Sequence, residues 1–179
     1  ATNSTWSFTT AAAASTSTYS LWNSAIIPAQ IATFDPYPVE VGVKFKSNTN
    51  GYITGIRFYK GSGNTGLHKA TLWTSNGQQI ATATFTNETA TGWQQVNFAQ
   101  PVPITANTVY VASYHTTTGN YAFALNYFAN SGLDNGPLHA LRDGANGGNG
   151  VFKYGNGGFP SQTFRSSNYF VDVVFTPNQ

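Results

Sequence analysis

Alternation of apolar and polar side chains with a period of two restricts the fold of this chain more than any other feature. The clearest run, VEVGVKFK at residues 39–46, places valine or phenylalanine at every second position. Similar runs occur at residues 56–59 and 169–175. Successive side chains of a strand point to opposite faces, so these runs predict strands with one buried face. No segment sustains the helical period of 3.6, and we therefore expect an all-β protein.

Clusters of glycine and asparagine separate these runs and are typical of tight turns, as at residues 47–51 and 75–78. Pro101 and Pro103 predict an edge strand or a loop, because proline cannot donate to a sheet ladder. The predicted strands cover residues 39–46, 52–60, 69–74, 79–86, 93–98, 109–114, 121–128, 151–154 and 168–175, with 109–114 central. Short strands at this spacing predict a single antiparallel β-sandwich over residues 1–179, jelly-roll-like in its connections.

Three segments are less regular. Trp6-Ser7-Phe8 alternates and predicts a short first strand, whereas the small residues of AAAASTST at 11–18 are typical of a linker or a loop. The longest stretch rich in Gly, Asn and Asp runs from residue 129 to 150. A segment of this length without periodicity indicates a functional loop or a loop held by an ion.

The composition excludes several classes of function. Only 8% of residues are charged, against about a quarter in an average globular protein. The net charge is +2 without a basic run, which argues against binding of nucleic acid or anionic membrane. No apolar run is long enough for a membrane helix. Absence of cysteine excludes disulfides and thiolate metal sites, and absence of methionine indicates a mature or excised segment.

Aromatic rings and hydrogen-bonding side chains meet at the ends of the predicted strands. Flat ring faces suit the C–H bonds of a pyranose, and side chains such as Lys and His bond its hydroxyls. One such group surrounds the loop 61–66, and a second surrounds the loop 116–120 with Tyr121 at its end. The candidate ligand-binding residues are Tyr59, Lys60, His68, Trp73, Tyr114, His115 and Tyr154. The alternative is that these rings are ordinary core residues of a sandwich.

A calcium ion is the predicted cofactor, with a structural role in pinning loops. Glu40 and Asp172 each lie opposite an apolar strand face, so both could project to one site at the sheet edge. Asp134 and Asp143 of the 129–150 segment form a rival site. The alternative for Glu40 is a salt bridge, for example with Lys44 or Arg57.

We predict no catalytic residues. A glycosidase needs two carboxylates on either side of a cleft, and none of the six carboxylates is evidently paired in sequence. Neither a G-x-S-x-G nucleophile elbow nor an H-E-x-x-H zinc motif occurs.

Four phrases together resemble a known family: VEVGVKF (39–45), IRFYKGSGNTGLHKATLW (56–73), GWQQVNFAQPVPITANTVYVASYH (92–115) and SSNYFVDVVFTP (166–177). The resemblance covers residues 6–177 and is to bacterial extracellular modules classed as a domain of unknown function. It implies a secreted β-sandwich accessory domain that neighbours other domains of a larger chain, and it implies no catalytic residues. The segment from Trp93 to Tyr110 is also similar, more loosely, to jelly-roll carbohydrate-binding modules.

The sequence thus predicts a monomeric, noncatalytic module that binds a glycan or polysaccharide by aromatic stacking and hydrogen bonds. The alternative is a structural spacer or adhesion domain that binds no small ligand and buries its aromatic residues. The exposure of the predicted rings separates the two.

Overall fold

The computed structural model describes residues 17–178, and within that range the chain forms two antiparallel sheets and no helix. The strands are β1 (Val39–Ser47), β2 (Gly51–Lys60), β3 (His68–Thr74), β4 (Gln79–Thr84), β5 (Gly92–Ile104), β6 (Tyr110–Thr116), β7 (Leu133–Asn135), β8 (Leu138–Ala140), β9 (Val151–Tyr154), β10 (Gln162–Thr163) and β11 (Val171–Pro177). The predicted all-β sandwich is therefore confirmed.

The larger sheet has the strand order β10-β9-β1-β6-β3-β4, with β8 beside β1 and β7 beside β8. The smaller sheet has the order β11-β2-β5. The strand predicted as central, β6, lies between β1 and β3. Pro101 and Pro103 lie in β5, an edge strand of the smaller sheet, where the missing N–H groups are tolerated.

The core lies between the two sheets and follows from the period of two. In β1 the side chains of Val39, Val41, Val43 and Phe45 are buried, and they face the apolar side chains of the smaller sheet. Phe58 of β2 stacks on Tyr114 of β6 with ring centroids 4.0 Å apart. This inward layer leaves residues such as Glu40 and Lys44 on the outer face of the larger sheet.

The loop 61–66 joins β2 of the smaller sheet to β3 of the larger one. Asn64 within it is fully buried and holds the crossing: its Nδ2 donates to the hydroxyl of Tyr114 at 3.0 Å, and its Oδ1 accepts from Thr116 at 2.6 Å. The loop is therefore a crossover between the sheets that the buried Asn64 anchors, although four of its six residues are exposed.

The strand predicted over residues 121–128 is wrong. Phe123 and Ala124 make only isolated bridges, to Gln30 and Asn168 respectively. Asn126 has a φ of 58°, a left-handed conformation that interrupts an extended chain. The aromatic residues of this segment reflect contacts with the core, where Phe128 is fully buried, rather than strand pairing.

Two predictions concern residues at the beginning of the chain. The short strand at residues 6–8 and most of the segment 11–18 lie outside the described residues. Within residues 17–178, no helix is long and apolar enough to cross a membrane.

Candidate functional site

A groove lined by aromatic rings lies where four segments distant in sequence meet, at residues 33–38, 121–125, 152–155 and 164–169. Three hollows of about 340, 290 and 490 Å³ share lining residues and together form this groove. Its lining includes Phe34, Asp35, Tyr37, Tyr121, Phe123, Phe152, Tyr154, Phe164 and Tyr169. We call it the Asp35 groove.

The rings of the Asp35 groove are exposed to a degree that is unusual for this protein. The side chain of Phe34 is fully exposed, and Tyr37, Phe164 and Tyr154 have 66%, 55% and 49% of their surface accessible. Single exposed apolar residues are ordinary, but several around one concavity mark a binding surface.

Asp35 is the polar centre of the groove. Its Oδ2 accepts hydrogen bonds from the hydroxyls of Tyr121, at 3.2 Å, and of Tyr154. Its Oδ1 accepts from the amide N–H of Tyr37 at 3.2 Å, which closes an Asx turn in the Asp35-Pro36-Tyr37-Pro38 segment. The backbone carbonyl of Asp35 accepts from Asn120 at 2.8 Å, so both the turn and its side chain are fixed.

The pKa values of both phenols are raised above their ordinary value. The hydrogen bond to Asp35 raises the pKa of Tyr154, and burial followed by the charges of Tyr154 and Asp35 raises the pKa of Tyr121. Both hydroxyls therefore donate to the carboxylate at neutral pH, which holds the two rings in fixed orientations.

This arrangement combines flat apolar faces with a small number of fixed hydrogen-bonding groups. Pyranose rings have apolar C–H faces and a polar edge of hydroxyls, and the groove offers a surface for each. The second large concavity, of about 560 Å³, is bordered by the aliphatic residues Ile26, Ile27 and Pro28. It offers fewer exposed ring faces than the Asp35 groove, since the rings of Trp22 and Phe170 that line it are buried.

Only one of the four predicted stacking rings lies in the Asp35 groove. Tyr154 is exposed there, whereas Tyr59, Trp73 and Tyr114 are buried with 9%, 6% and 0% of their surface accessible. Tyr59 packs edge-on against Trp93, and Trp73 donates its indole N–H to Ser113 at 2.7 Å. These three rings cannot stack on a ligand in this conformation, so the ring platform predicted from the sequence is not formed.

His68 and Lys60 belong to a buried network that holds the end of the 61–66 crossover. The ring Nδ1 of His68 donates to Glu88 at 2.8 Å, and its Nε2 lies 2.8 Å from Asn64 Oδ1. Lys60 Nζ donates to the same carboxylate at 2.7 Å. Burial lowers the pKa of His68 and Glu88 opposes this shift. The polar side-chain atoms of this network are hydrogen-bonded to one another and are largely buried. The network therefore stabilises the fold and presents no exposed surface to a ligand. We call it the Glu88 network.

His115 and Glu40 meet at a small cleft on the outer face of the larger sheet. They are paired in register on β1 and β6, and the cleft of about 110 Å³ is also lined by Trp73 and by residues 156–158. Glu40 accepts from Ser113, and His115 Nε2 lies 2.9 Å from the carbonyl of Gly155. Burial raises the pKa of Glu40 to about 7, although the hydrogen bond from Ser113 opposes that shift.

The carboxylates predicted to share a calcium ion lie apart. Glu40 is on β1 of the larger sheet and Asp172 is on β11 of the smaller one. Asp172 accepts the amide of Leu21 at 2.6 Å and forms an ion pair with Arg57 at 3.6 Å, so its oxygens are already occupied. Burial raises the pKa of Asp172 to about 6, with Arg57 acting in the opposite direction. The structure therefore does not bring the two carboxylates together.

The rival pair is also not assembled as a metal site. Asp134 Oδ1 accepts a hydrogen bond from His139 Nδ1 at 2.7 Å, while Asp143 accepts the amide of Asn149 at 2.7 Å. Asn149 in turn donates to Leu141 and fixes the segment by hydrogen bonds. Among residues 17–178, no three His, Cys, Asp or Glu side chains lie together in a way that could hold a metal ion. Calcium binding stays an untested prediction.

Sequence reasoning placed Tyr121 and Tyr154 near a ligand but missed Phe34, Tyr37 and Phe164. The available signal was the FDPYP segment at residues 34–38, where two rings flank an Asp-Pro turn. Prolines exclude these rings from a strand, and a turn at the surface leaves them no core to enter.

Two comparisons with known proteins give one match. A family model described as "Domain of unknown function (DUF4082)" matches residues 25–171. No curated protein matches the chain.

Proposed function

Because the chain belongs to the DUF4082 family, whose description assigns no function, its role must be argued from the site, and we propose that the Asp35 groove binds a carbohydrate. In this proposal the protein is a noncatalytic module that attaches a secreted or cell-surface protein to a polysaccharide. The observation that carries the proposal is the set of four exposed rings around one fixed carboxylate.

The rings would supply the contact area for a bound sugar, and Asp35 would fix the orientation of that sugar. Phe34, Tyr37 and Phe164 are exposed enough to lie against pyranose faces. Asp35 and the phenol of Tyr154 are the groups that a sugar hydroxyl would meet at the centre of the groove. An extended, open groove of this kind suits several consecutive units of a chain better than one enclosed monosaccharide.

A single carboxylate in the groove supports a noncatalytic role. Hydrolysis of a glycosidic bond uses two carboxyl groups about 5–10 Å apart, one as acid and the other as base or nucleophile. Among the described residues, Asp35 is the only carboxylate that lines the Asp35 groove.

The test is affinity electrophoresis through gels that contain soluble cellulose, xylan, galactomannan or glycol chitin. We expect at least one polysaccharide to retard the wild-type protein, and the double substitution Tyr154→Ala with Phe164→Ala to abolish the retardation. Tyr52→Ala is the matched control, because Tyr52 is a similarly exposed ring, at 40%, on β2 of the smaller sheet.

Two outcomes would contradict the proposal. Retardation that survives in the double variant would place binding elsewhere on the molecule. If none of the polysaccharides retarded the wild-type protein, the spacer or adhesion role would be favoured. Circular dichroism and thermal unfolding of each variant establish that loss of binding is not loss of folding.

A further inference from the structure

The Asp35 groove has a local charge opposite in sign to that of the whole chain. The sequence has a net charge of +2, yet no Lys, Arg or His is found among the described side chains that line the groove. Lys153 and Arg165 are adjacent in sequence to the lining residues Tyr154 and Phe164, but they do not themselves line the groove. Among the described side chains that line the groove, the carboxylate of Asp35 is therefore the one formal charge.

The aromatic rings of the groove, like its carboxylate, attract cations and repel anions. The face of an aromatic ring carries the negative part of its quadrupole, so a cation over Tyr37, Tyr154 or Phe164 is attracted to it. The two phenols donate their hydroxyl hydrogens to Asp35 Oδ2. Their oxygens can therefore accept a hydrogen bond from a ligand but cannot donate one to it. An anionic group would thus meet a carboxylate, ring faces and phenol oxygens, all of which repel it.

We propose that the Asp35 groove prefers pyranose units that carry a protonated amino group, as in a deacetylated amino sugar, over neutral and acidic units. The proposal rests on the carbohydrate-binding function proposed above and names the class of sugar. A unit stacked on one of the exposed rings can direct an equatorial ammonium group along the ring plane toward Asp35. There it gains a charge-assisted hydrogen bond that a hydroxyl or an acetamide cannot form.

The net charge of the chain makes this preference informative. A positively charged protein gains nothing from general attraction to a polycation, since the long-range term between them is repulsive. Tighter binding to an amino sugar polymer than to its acetylated form would therefore have to come from a local negative site. The Asp35 groove, with its exposed rings, is the site with the geometry for it.

The experiment is calorimetric titration of the protein with glucosamine hexamer and with its fully N-acetylated counterpart, at a weakly acidic pH that protonates the amine. We expect the wild-type protein to bind the amine-bearing hexamer about tenfold more tightly, the size of one charge-assisted hydrogen bond. Asp35→Asn should reduce that ratio to about one while the acetylated hexamer still binds, because the rings remain.

Asp134→Asn is the matched control, since it removes the same charge from a carboxylate that is 78% exposed and outside the groove. It should leave the tenfold ratio intact. Equal wild-type affinity for the two hexamers, or a ratio that Asp35→Asn leaves unchanged, would overturn the amine preference while leaving carbohydrate binding in place. If Asp134→Asn reduced the affinity ratio as much as Asp35→Asn does, the ratio would come from the overall charge of the protein. That result would also overturn the preference. Binding of neither hexamer would overturn it as well, and the polysaccharide gels would then decide separately whether the groove binds any sugar.

Discussion

The Asp35 groove and the Glu88 network are each built around one carboxylate with aromatic rings beside it, but the first is open to solvent and the second is buried. In each, one carboxylate accepts hydrogen bonds from two side chains: two tyrosines at Asp35, and Lys60 and His68 at Glu88. Aromatic rings lie beside both. Four rings of the groove are open to solvent, whereas Tyr114 beside the network and His68 within it are completely buried. Residue type alone therefore does not distinguish a binding surface from a structural one.

The backbone explains why the two regions differ. The loop 61–66 crosses from one sheet to the other, and the buried Asn64 draws the polar groups around it inward. The segment 33–38 runs along the rim of the sandwich before β1 begins, and its prolines keep it out of either sheet. The buried Asn64 of the crossover must pair its polar groups inside the protein, whereas a surface segment such as 33–38 can leave its rings exposed.

The largest expected effect comes from a ring beside the Glu88 network. Tyr114→Ala should lower the free energy of unfolding by about 3–5 kcal/mol, because it leaves a cavity against Phe58 and removes the partner of Asn64. Urea denaturation measures the loss. Tyr154→Ala in the groove is the matched change and should cost less than about 1 kcal/mol. Comparable losses from the two would erase the distinction between the regions.

A third carboxylate, Glu40, tests the effect of burial through pH. Burial raises its pKa from the ordinary value of 4.5 to about 7, so the folded state holds a proton that the unfolded state has already released. The bound proton stabilises the folded state. This stabilisation is complete below pH 4.5 and is lost as the pH rises through 7. The shift corresponds to a loss on the order of 3 kcal/mol over this window.

Glu40→Gln keeps the shape of the protonated carboxyl and should remove this dependence. The difference in unfolding free energy between wild type and variant should fall as the pH rises from 4.5 to 7, so that the variant becomes the more stable at neutral pH. Denaturation curves at several pH values measure it. Asp172, whose pKa is also raised, contributes in the same direction up to about pH 6 but cancels from the difference. A difference that is flat across the window would contradict the buried position of Glu40.

Glu88→Gln tests the network itself. The substitution leaves Lys60 without its ion-pair partner and His68 with a neutral one, and we expect a loss of about 2 kcal/mol in unfolding free energy. Asp35→Asn is the corresponding change in the groove and should cost less than about 1 kcal/mol, since asparagine keeps Oδ1 for the turn. Carbohydrate binding by the correctly folded Glu88→Gln variant should match that of the wild type.

The strands could be predicted from the sequence because their cause is local. The predicted strands match β1, β2, β3 and β6 to within a few residues, and the prolines predicted to lie in an edge strand or a loop lie in the edge strand β5. The segment 121–128 was predicted wrongly because its rings belong to contacts with the core and not to a ladder. Aromatic content favours a strand only when a period of two accompanies it.

The candidate site was less predictable because its parts are brought together by the fold. Tyr121 and Tyr154 approach Asp35 across 86 and 119 residues of sequence. Ring-bearing loops near strand ends suggested a site, but they did not indicate which rings the sheets would cover. His68 and Tyr114 looked as suitable as Tyr154, but both are fully buried in the fold and both pack against Phe58.

The smallest expected change in stability comes from the most exposed ring of the groove. Phe34→Ala should alter the unfolding free energy by less than about 0.5 kcal/mol, because the side chain of Phe34 is fully exposed and buries nothing. The same substitution should weaken polysaccharide binding several-fold, since a ring that stabilises nothing in the free protein is available to a ligand. Affinity electrophoresis beside Tyr52→Ala measures the effect. Unchanged binding together with unchanged stability would remove Phe34 from the site and restrict the groove to the rings that contact Asp35.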